Sequence, residues 1–123
     1  MTGAKLKKVS AIVAGTGFTN KDGDPAAFIR RYCKDGMKAL LVREPANLHD
    51  ANAIAVVLQA GGWLFGMKSS QIGHLKAPLA KRLAPMMDSG IPMHAVVVSH
   101  YAPVGMDHPR VSLEIGYVPP STP

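Results

Sequence analysis

The chain is predicted to fold as a mainly β domain with two helices, a small, strongly curved sheet of five to six strands closing toward a barrel. Three observations carry this. In Val111-Ser112-Leu113-Glu114-Ile115-Gly116-Tyr117 apolar residues take every second place, as a strand with one buried face requires. Five further short stretches rich in Val, Ile, Leu or aromatic residues are bounded by turn residues. Helix-start signals are few, and short strands with few long helices favour a closed or nearly closed sheet.

Taken in order, the first strand spans Val9 to Gly15. A helix then opens at Asp24, whose short carboxylate suits an N-cap, with Pro25 at the first helical position. Phe28, Ile29, Tyr32 and Cys33 form its buried stripe, Arg30, Arg31 and Lys34 fall on other faces, and Gly36 ends it. Strands come next at Ala39 to Arg43, Ala53 to Leu58 and Trp63 to Met67. Ala60-Gly61-Gly62 between the last two is the hairpin turn, since paired glycines accept the positive φ that tight hairpins need. The second helix runs from about Pro78 to Asp88, with Leu79, Leu83, Met86 and Met87 inward, and Pro85 implies a kink or an early end. His94 to His100 and Val111 to Tyr117 complete the sheet. Residues 9–118 are expected to form one domain between a mobile basic N-terminus, 1–8, and a Pro-rich tail, 119–123.

The totals narrow the function. With 123 residues, 47% hydrophobic and 18% charged, the chain suits a single core rather than a disordered tail. A lone cysteine, Cys33, cannot form an internal disulfide, so a reducing, cytoplasmic setting is expected. Apolar runs such as Ala53 to Leu58 and Ala95 to Val98 are far too short to cross a bilayer, and no membrane association is expected. Fourteen Lys and Arg against eight Asp and Glu give a formal charge of +6. That balance suits a polyanion, although it equally serves solubility. There is no GxxxxGK[ST], GxGxxG or GxSxG, so no enzymatic activity is expected. The five histidines show neither HExxH nor paired-cysteine spacing, so no metal and no cofactor are expected.

The most specific stretch is Val42-Arg43-Glu44-Pro45-Ala46-Asn47-Leu48-His49-Asp50-Ala51-Asn52-Ala53-Ile54, with Ile72-Gly73-His74-Leu75 further along the chain. Pro45 forces Glu44 to be extended and ends the strand. Asn47, Asp50 and Asn52 can bond nearby backbone amides, so the turn could be wholly structural. Equally, a carboxylate, an imidazole and amides on one turn can grip something small and polar. A carboxylate accepts from a hydroxyl but repels a phosphate, and Arg43, Lys68 and Lys76 lie close to the motifs in sequence. Phe18, His49 or Trp63 could stack on a base.

Read together, Val-Arg-Glu-Pro-x-Asn-x-His-Asp-x-Asn-Ala-Ile-x-Val, the later Ile-Gly-His-Leu and a helix with Leu-Ala-Pro-Met-Met-Asp-Ser-Gly resemble the HIRAN domain, from about Val9 to Tyr101. The chain is similar to a free-standing, bacterial-type member; others in the family are fused to SWI/SNF-type DNA translocases. The resemblance implies an OB-like or SH3-like barrel that binds single-stranded DNA at its 3′-hydroxyl end, in DNA repair or replication, alongside a translocase or nuclease. It assigns Asp50 to the terminal hydroxyl, His49 to the terminal nucleotide in place of a tyrosine, and His74 to backbone phosphate. Phe18 occupies the region of an Arg-Tyr-Tyr stretch, and Arg43, Asn52 and Lys76 complete the nucleic-acid-binding set. The chain departs from the family in lacking that arginine, one aromatic, and a last-strand phenylalanine near Glu114. Those departures support the alternative, a protein-interaction or targeting module that has lost DNA-end binding. Oligomeric state is left open by the sequence.

Overall fold

A computed structural model of the protein describes residues 5–62 and 66–120. The elements in chain order are β1 (Lys7–Ile12), α1 (Pro25–Tyr32), β2 (Lys38–Arg43), β3 (Ile54–Gly62), β4 (Gly66–His74), α2 (Ala77–Asp88), β5 (His94–Tyr101) and β6 (Arg110–Tyr117). All six strands join one antiparallel sheet in the order β1-β6-β5-β2-β3-β4.

The mainly β architecture with two helices is therefore as expected, but closure is slighter than a barrel implies. The edge strands β1 and β4 meet only just beyond β1, where the Ala14 amide donates to the His74 carbonyl at 2.8 Å and the His74 amide donates back at 2.9 Å. One bridge joins the edges, and the rest of the sheet stays open.

Strand alternation fills the core. Along β6 every odd position from Val111 to Tyr117 is buried, and every even one is partly exposed. Its Val111, Leu113 and Ile115 meet Ile54, Val56 and Leu58 of β3, Ile72 of β4, Val97 of β5, Ile29 of α1 and Leu83 of α2, all essentially inaccessible to solvent. Burying each such side chain is worth about 1.5–3 kcal/mol. α1 packs against β4 and α2 alongside β2.

The first helix starts as the sequence implies: the Asp24 carboxylate accepts from the Ala26 amide, with Pro25 at the first position. It stops earlier than expected, because Cys33 is already extended; Gly36, at φ 88°, belongs to the turn into β2. Ile29 and Cys33 are buried, whereas Phe28 and Tyr32 are half-buried, their rings tilted against each other with centroids 4.8 Å apart. α2 runs to Asp88 as expected, so Pro85 does not end it early. Lys81 and Pro85 lie on its exposed side, so the carbonyl deprived of a donor faces solvent. The buried stripe is Ala80, Leu83 and Ala84, with Leu79, Met86 and Met87 only half-covered.

The β3–β4 hairpin also differs. Ala60-Gly61-Gly62, expected as the turn, continue the strand and pair with residues down to Gly66, and the expected strand from Trp63 falls largely on residues 63–65, outside the described residues. Gly61 serves a different purpose, since an added Cβ would lie 2.3 Å from the Gly66 carbonyl oxygen. β4 instead carries the Ile72-Gly73-His74 motif on its last residues, with a register shift opposite Val56 and Val57. The extra residue is Ile72, while Gln71 stays opposite Val57 and, on an edge strand, bonds outward to the 19–24 turn. The Gln71 amide donates to Asp22 Oδ2 at 2.8 Å and its carbonyl accepts from Asn20 Nδ2 at 2.9 Å, which ties the 19–24 turn over the strand. An extra residue in one strand bends it and re-aims the residues beyond, here Gly73 and His74.

No helix among the described residues is long and apolar enough to cross a membrane.

Gly73 makes the edge bridge possible: its φ is 154° and a Cβ there would sit 2.1 Å from the Ala14 oxygen. Gly73→Ala is expected to lower unfolding free energy by about 1–3 kcal/mol, the range for backbone strain of this kind. Chemical denaturation checks this, and faster amide exchange at Ala14 and His74 is expected to accompany it.

Candidate functional site

Five chain segments converge at the bridged corner: the end of β1, the 44–53 turn between β2 and β3, the end of β4, the start of α2, and the 107–110 approach to β6. The site has two parts, linked through the Ala14–His74 bridge.

The first part is the 44–53 turn. Asn47 organises it: its amide donates to the Glu44 carbonyl, its Nδ2 donates to Glu44 Oε1 at 3.1 Å, and its Oδ1 accepts from the amides of His49 at 2.9 Å and Asp50 at 3.1 Å. Asp50 Oδ1 in turn accepts from the Asn52 amide at 2.8 Å. This is the self-bonding of short polar side chains that the sequence allowed. His74 joins it across the sheet, with Nε2 2.6 Å from Glu44 Oε1. Burial pushes the Glu44 carboxyl up, but the His74 and Asn47 hydrogen bonds, with the charges of His74 and Lys21, outweigh it and hold the group below its ordinary range.

Arg43, expected to neutralise phosphate, is otherwise engaged. Its Nε and Nη2 hold Asp88 of α2 at 2.8 and 3.1 Å, and Nη1 and Nη2 donate to the carbonyls of Ala53 and Ala51 at 2.8 and 3.0 Å. Three of its nitrogens are thus committed within the protein, and its side chain is only 14% exposed. The Asp88 hydrogen bond, and the nearby charges of Asp88 and Asp50, outweigh partial burial and raise its affinity for the proton, while Asp88 is correspondingly lowered by Arg43. Arg43 is a strut that ties the turn to α2. Asp50 is not plugged: among the described residues no lysine or arginine forms an ion pair with it, and its Oδ2 has no hydrogen bond. Asp50 and Asn52 are half-buried, and His49 is exposed beside the almost wholly exposed Leu48.

The second part is a concavity of about 270 Å³ lined by Gly15, Thr16, Phe18, Lys76, His108 and Arg110, among others. It gathers Phe18 and Lys76 from distant parts of the chain. Phe18 is 71% exposed, which costs apolar hydration and leaves its ring open to a ligand. The 15–18 loop is firmly seated: Thr16 Oγ1 donates to the Pro109 carbonyl at 2.6 Å, and a Cβ on Gly17 would lie 1.9 Å from His108 Nδ1 and 2.8 Å from the Asp107 oxygen. The Phe18 and His108 rings are 6.1 Å apart and tilted. Asp50 is not among the residues lining this concavity; the two parts meet through the Ala14–His74 bridge, one residue before Gly15 and two before Lys76.

His108 and Arg110 were missed in the sequence. The last strand reaches the site through its first residue and the loop before it, and not through Glu114, which lies mid-strand in an ion pair with Lys8 at 3.6 Å. The β1–β6 pairing, the Val13–Val111 hydrogen bond, the Gly17 contact and the Thr16 hydrogen bond together bring residues 107–110 beside Phe18, and none leaves a mark in sequence spacing. Among the described residues, no three His, Cys, Asp or Glu side chains are placed to hold a metal.

The polar network has two measurable consequences. Asn47→Ala is expected to cost about 1–3 kcal/mol in chemical denaturation, since it strips partners from two amides and a carboxylate. Glu44, Asp88 and Asp22 are all lowered, Asp22 chiefly by the Gln71 amide and then by Lys21. A lowered carboxyl contributes stability above its unfolded pKa, which is lost as pH falls through the folded value. Melting temperature is therefore expected to hold near neutrality and drop below about pH 4, and Glu44→Gln should flatten that acid limb.

Comparison with known proteins agrees with this architecture. The HIRAN domain family model matches residues 8–116. A putative SWI/SNF-related matrix-associated actin-dependent regulator of chromatin subfamily A member 3-like 1 from Arabidopsis thaliana is 41% identical over 63 residues, 51% of this chain, and the match spans only 6% of that protein. In structure, the HIRAN domain of human HLTF superposes with a TM-score of 0.60 at 23% identity, over 89% of this chain and 74% of that one. A protein from Lactobacillus plantarum superposes with a TM-score of 0.61 at 21% identity, over 92% of this chain and 99% of that one. With the family match running from the second residue of β1 to the penultimate residue of β6, the chain belongs to the HIRAN domain family.

Proposed function

We propose that this HIRAN domain is a non-catalytic module that binds single-stranded DNA and receives its 3′-hydroxyl end. The observation that carries the reading is the concavity lined jointly by an exposed Phe18 with Lys76, Arg110 and His108, linked through the Ala14–His74 bridge and the His74–Glu44 contact to the turn that holds Asp50. Stacking on an aromatic ring accepts any base, and two cations beside it neutralise successive phosphates. Family membership supports the same reading, as does the name of the plant relative, a regulator of chromatin.

In this reading Asp50 Oδ2 accepts a hydrogen bond from the terminal hydroxyl. The contact is charge-assisted and worth about 1.5–3 kcal/mol, and the same carboxylate repels a terminal phosphate. His49, on the exposed tip, stacks against the terminal nucleotide, and Asn52 holds Asp50 in position through its amide. His74 acts through Glu44, which fixes its ring, and presents its remaining edge toward the phosphate track. Arg43 supports the turn and makes no DNA contact. We place the activity in repair or replication in the cytoplasm, in service of a DNA translocase or nuclease.

Titration with matched oligonucleotides ending in 3′-hydroxyl or 3′-phosphate tests the proposal. The hydroxyl end is expected to bind about tenfold to a hundredfold more tightly. Asp50→Ala should narrow that difference, while Lys76→Ala and Arg110→Ala should each flatten the salt dependence by about 0.7 in logarithmic slope. Equal affinity for the two ends would remove end recognition, and no binding at low salt would remove the nucleic-acid reading.

A further inference from the structure

The outer edge of β1 is unused. Lys7–Ile12 pair with β6, and among the described residues no other backbone hydrogen bond reaches them. Among the described residues the link to β4 lies beyond the strand, at Ala14. Such a row of free amides and carbonyls is a template for another strand.

Both faces of this edge are hollowed at the same three residues. Ser10, Ala11 and Ile12 line a cavity of about 350 Å³ toward α2 with Lys76, Pro78 and Leu79. They also line a second, of about 430 Å³, on the other face with Val98, Ser112 and Leu113. Ile12 and Val98 are 41% and 49% exposed. Side chains of an added strand alternate between faces, so successive residues of an incoming strand would enter the two hollows in turn.

We infer that β1 is a docking edge for an extended peptide of another protein, with apolar side chains at alternate positions and acidic residues between or beside them. The charge at the edge selects this occupant. Lys5, Lys7, Lys8 and Lys76 are all exposed, and among the described residues only Lys8 is paired, with Glu114. A second copy paired antiparallel over Lys7–Ile12 would set its lysines opposite Ile12 and Ala11 and add positive charge with no acidic partner, whereas acidic residues of a peptide answer Lys7 and Lys8. A nucleic-acid strand would leave the backbone row unpaired and would set phosphates against Ala11, Ile12, Pro78 and Leu79, where Lys76 is the one cation. Ile12 and Lys76 also line the Phe18 concavity, so the two sites adjoin, and the unpaired backbone of Lys7–Ile12 is what distinguishes this edge.

The test uses the full chain and a fluorescein-labelled octapeptide alternating Val with Asp and Glu. Saturable polarisation is expected, with amide exchange slowed at Lys7–Ile12. N-methylation of alternate peptide amides should weaken binding by about tenfold or more, since it removes strand hydrogen bonds while keeping charge and side chains. Lys7→Glu with Lys8→Glu should weaken the acidic peptide and favour its lysine counterpart. Undiminished binding of the N-methylated peptide, or protection at residues 15–18 and 74–76 instead of 7–12, would overturn the proposal. So would absence of binding. Loss of oligonucleotide binding by Asp50→Ala with peptide binding intact separates this edge from the DNA-end reading.

Discussion

The paired hydrogen bonds between Ala14 and His74 hold the rest in place. An open six-stranded sheet has no inherent reason to bring its first and last strands together, and these two bonds are where the edges meet. They depend on a bulge that turns the end of β4 and on a glycine with no Cβ to strike the Ala14 oxygen. From this point the chain leaves in two useful directions, to the Phe18 loop after Ala14 and to Lys76 after His74. The bridge thus holds Phe18 and Lys76 on one concavity.

The polar residues of the 44–53 turn divide their labour in a way their chemistry explains. Asn47 spends both ends of its amide on the turn, and Arg43 spends its fork on two carbonyls and a carboxylate. A planar guanidinium suits this bracing because its donors lie in fixed directions. What remains facing outward is the single free oxygen of Asp50, the His49 ring and the Leu48 side chain. A turn held by this many bonds presents those groups with little ordering left to do on binding.

The two basic surfaces are also chemically different. Around Phe18, cations accompany an exposed ring and a firmly seated loop, a combination suited to bases and phosphates. Along β1, cations accompany an unpaired backbone and apolar hollows, a combination suited to peptide. The net charge of +6 does not distinguish them; the neighbours of each lysine do.

Local chemistry was legible in the sequence. Alternation in Val111 to Tyr117, the Asp24-Pro25 helix start and the turn-forming Asn47, Asp50 and Asn52 act over a few residues, so their order alone determines them. The tertiary structure decided everything that needs two distant segments. It turned Arg43 from a ligand group into a strut, because Asp88 lies 45 residues away. It made Glu44 the partner of His74 across the sheet, and it brought His108 and Arg110 to Phe18 through a contact with Gly17. It also left the barrel joined at one bridge, because closure depends on how far a bulged strand bends, which no hydrophobic pattern records.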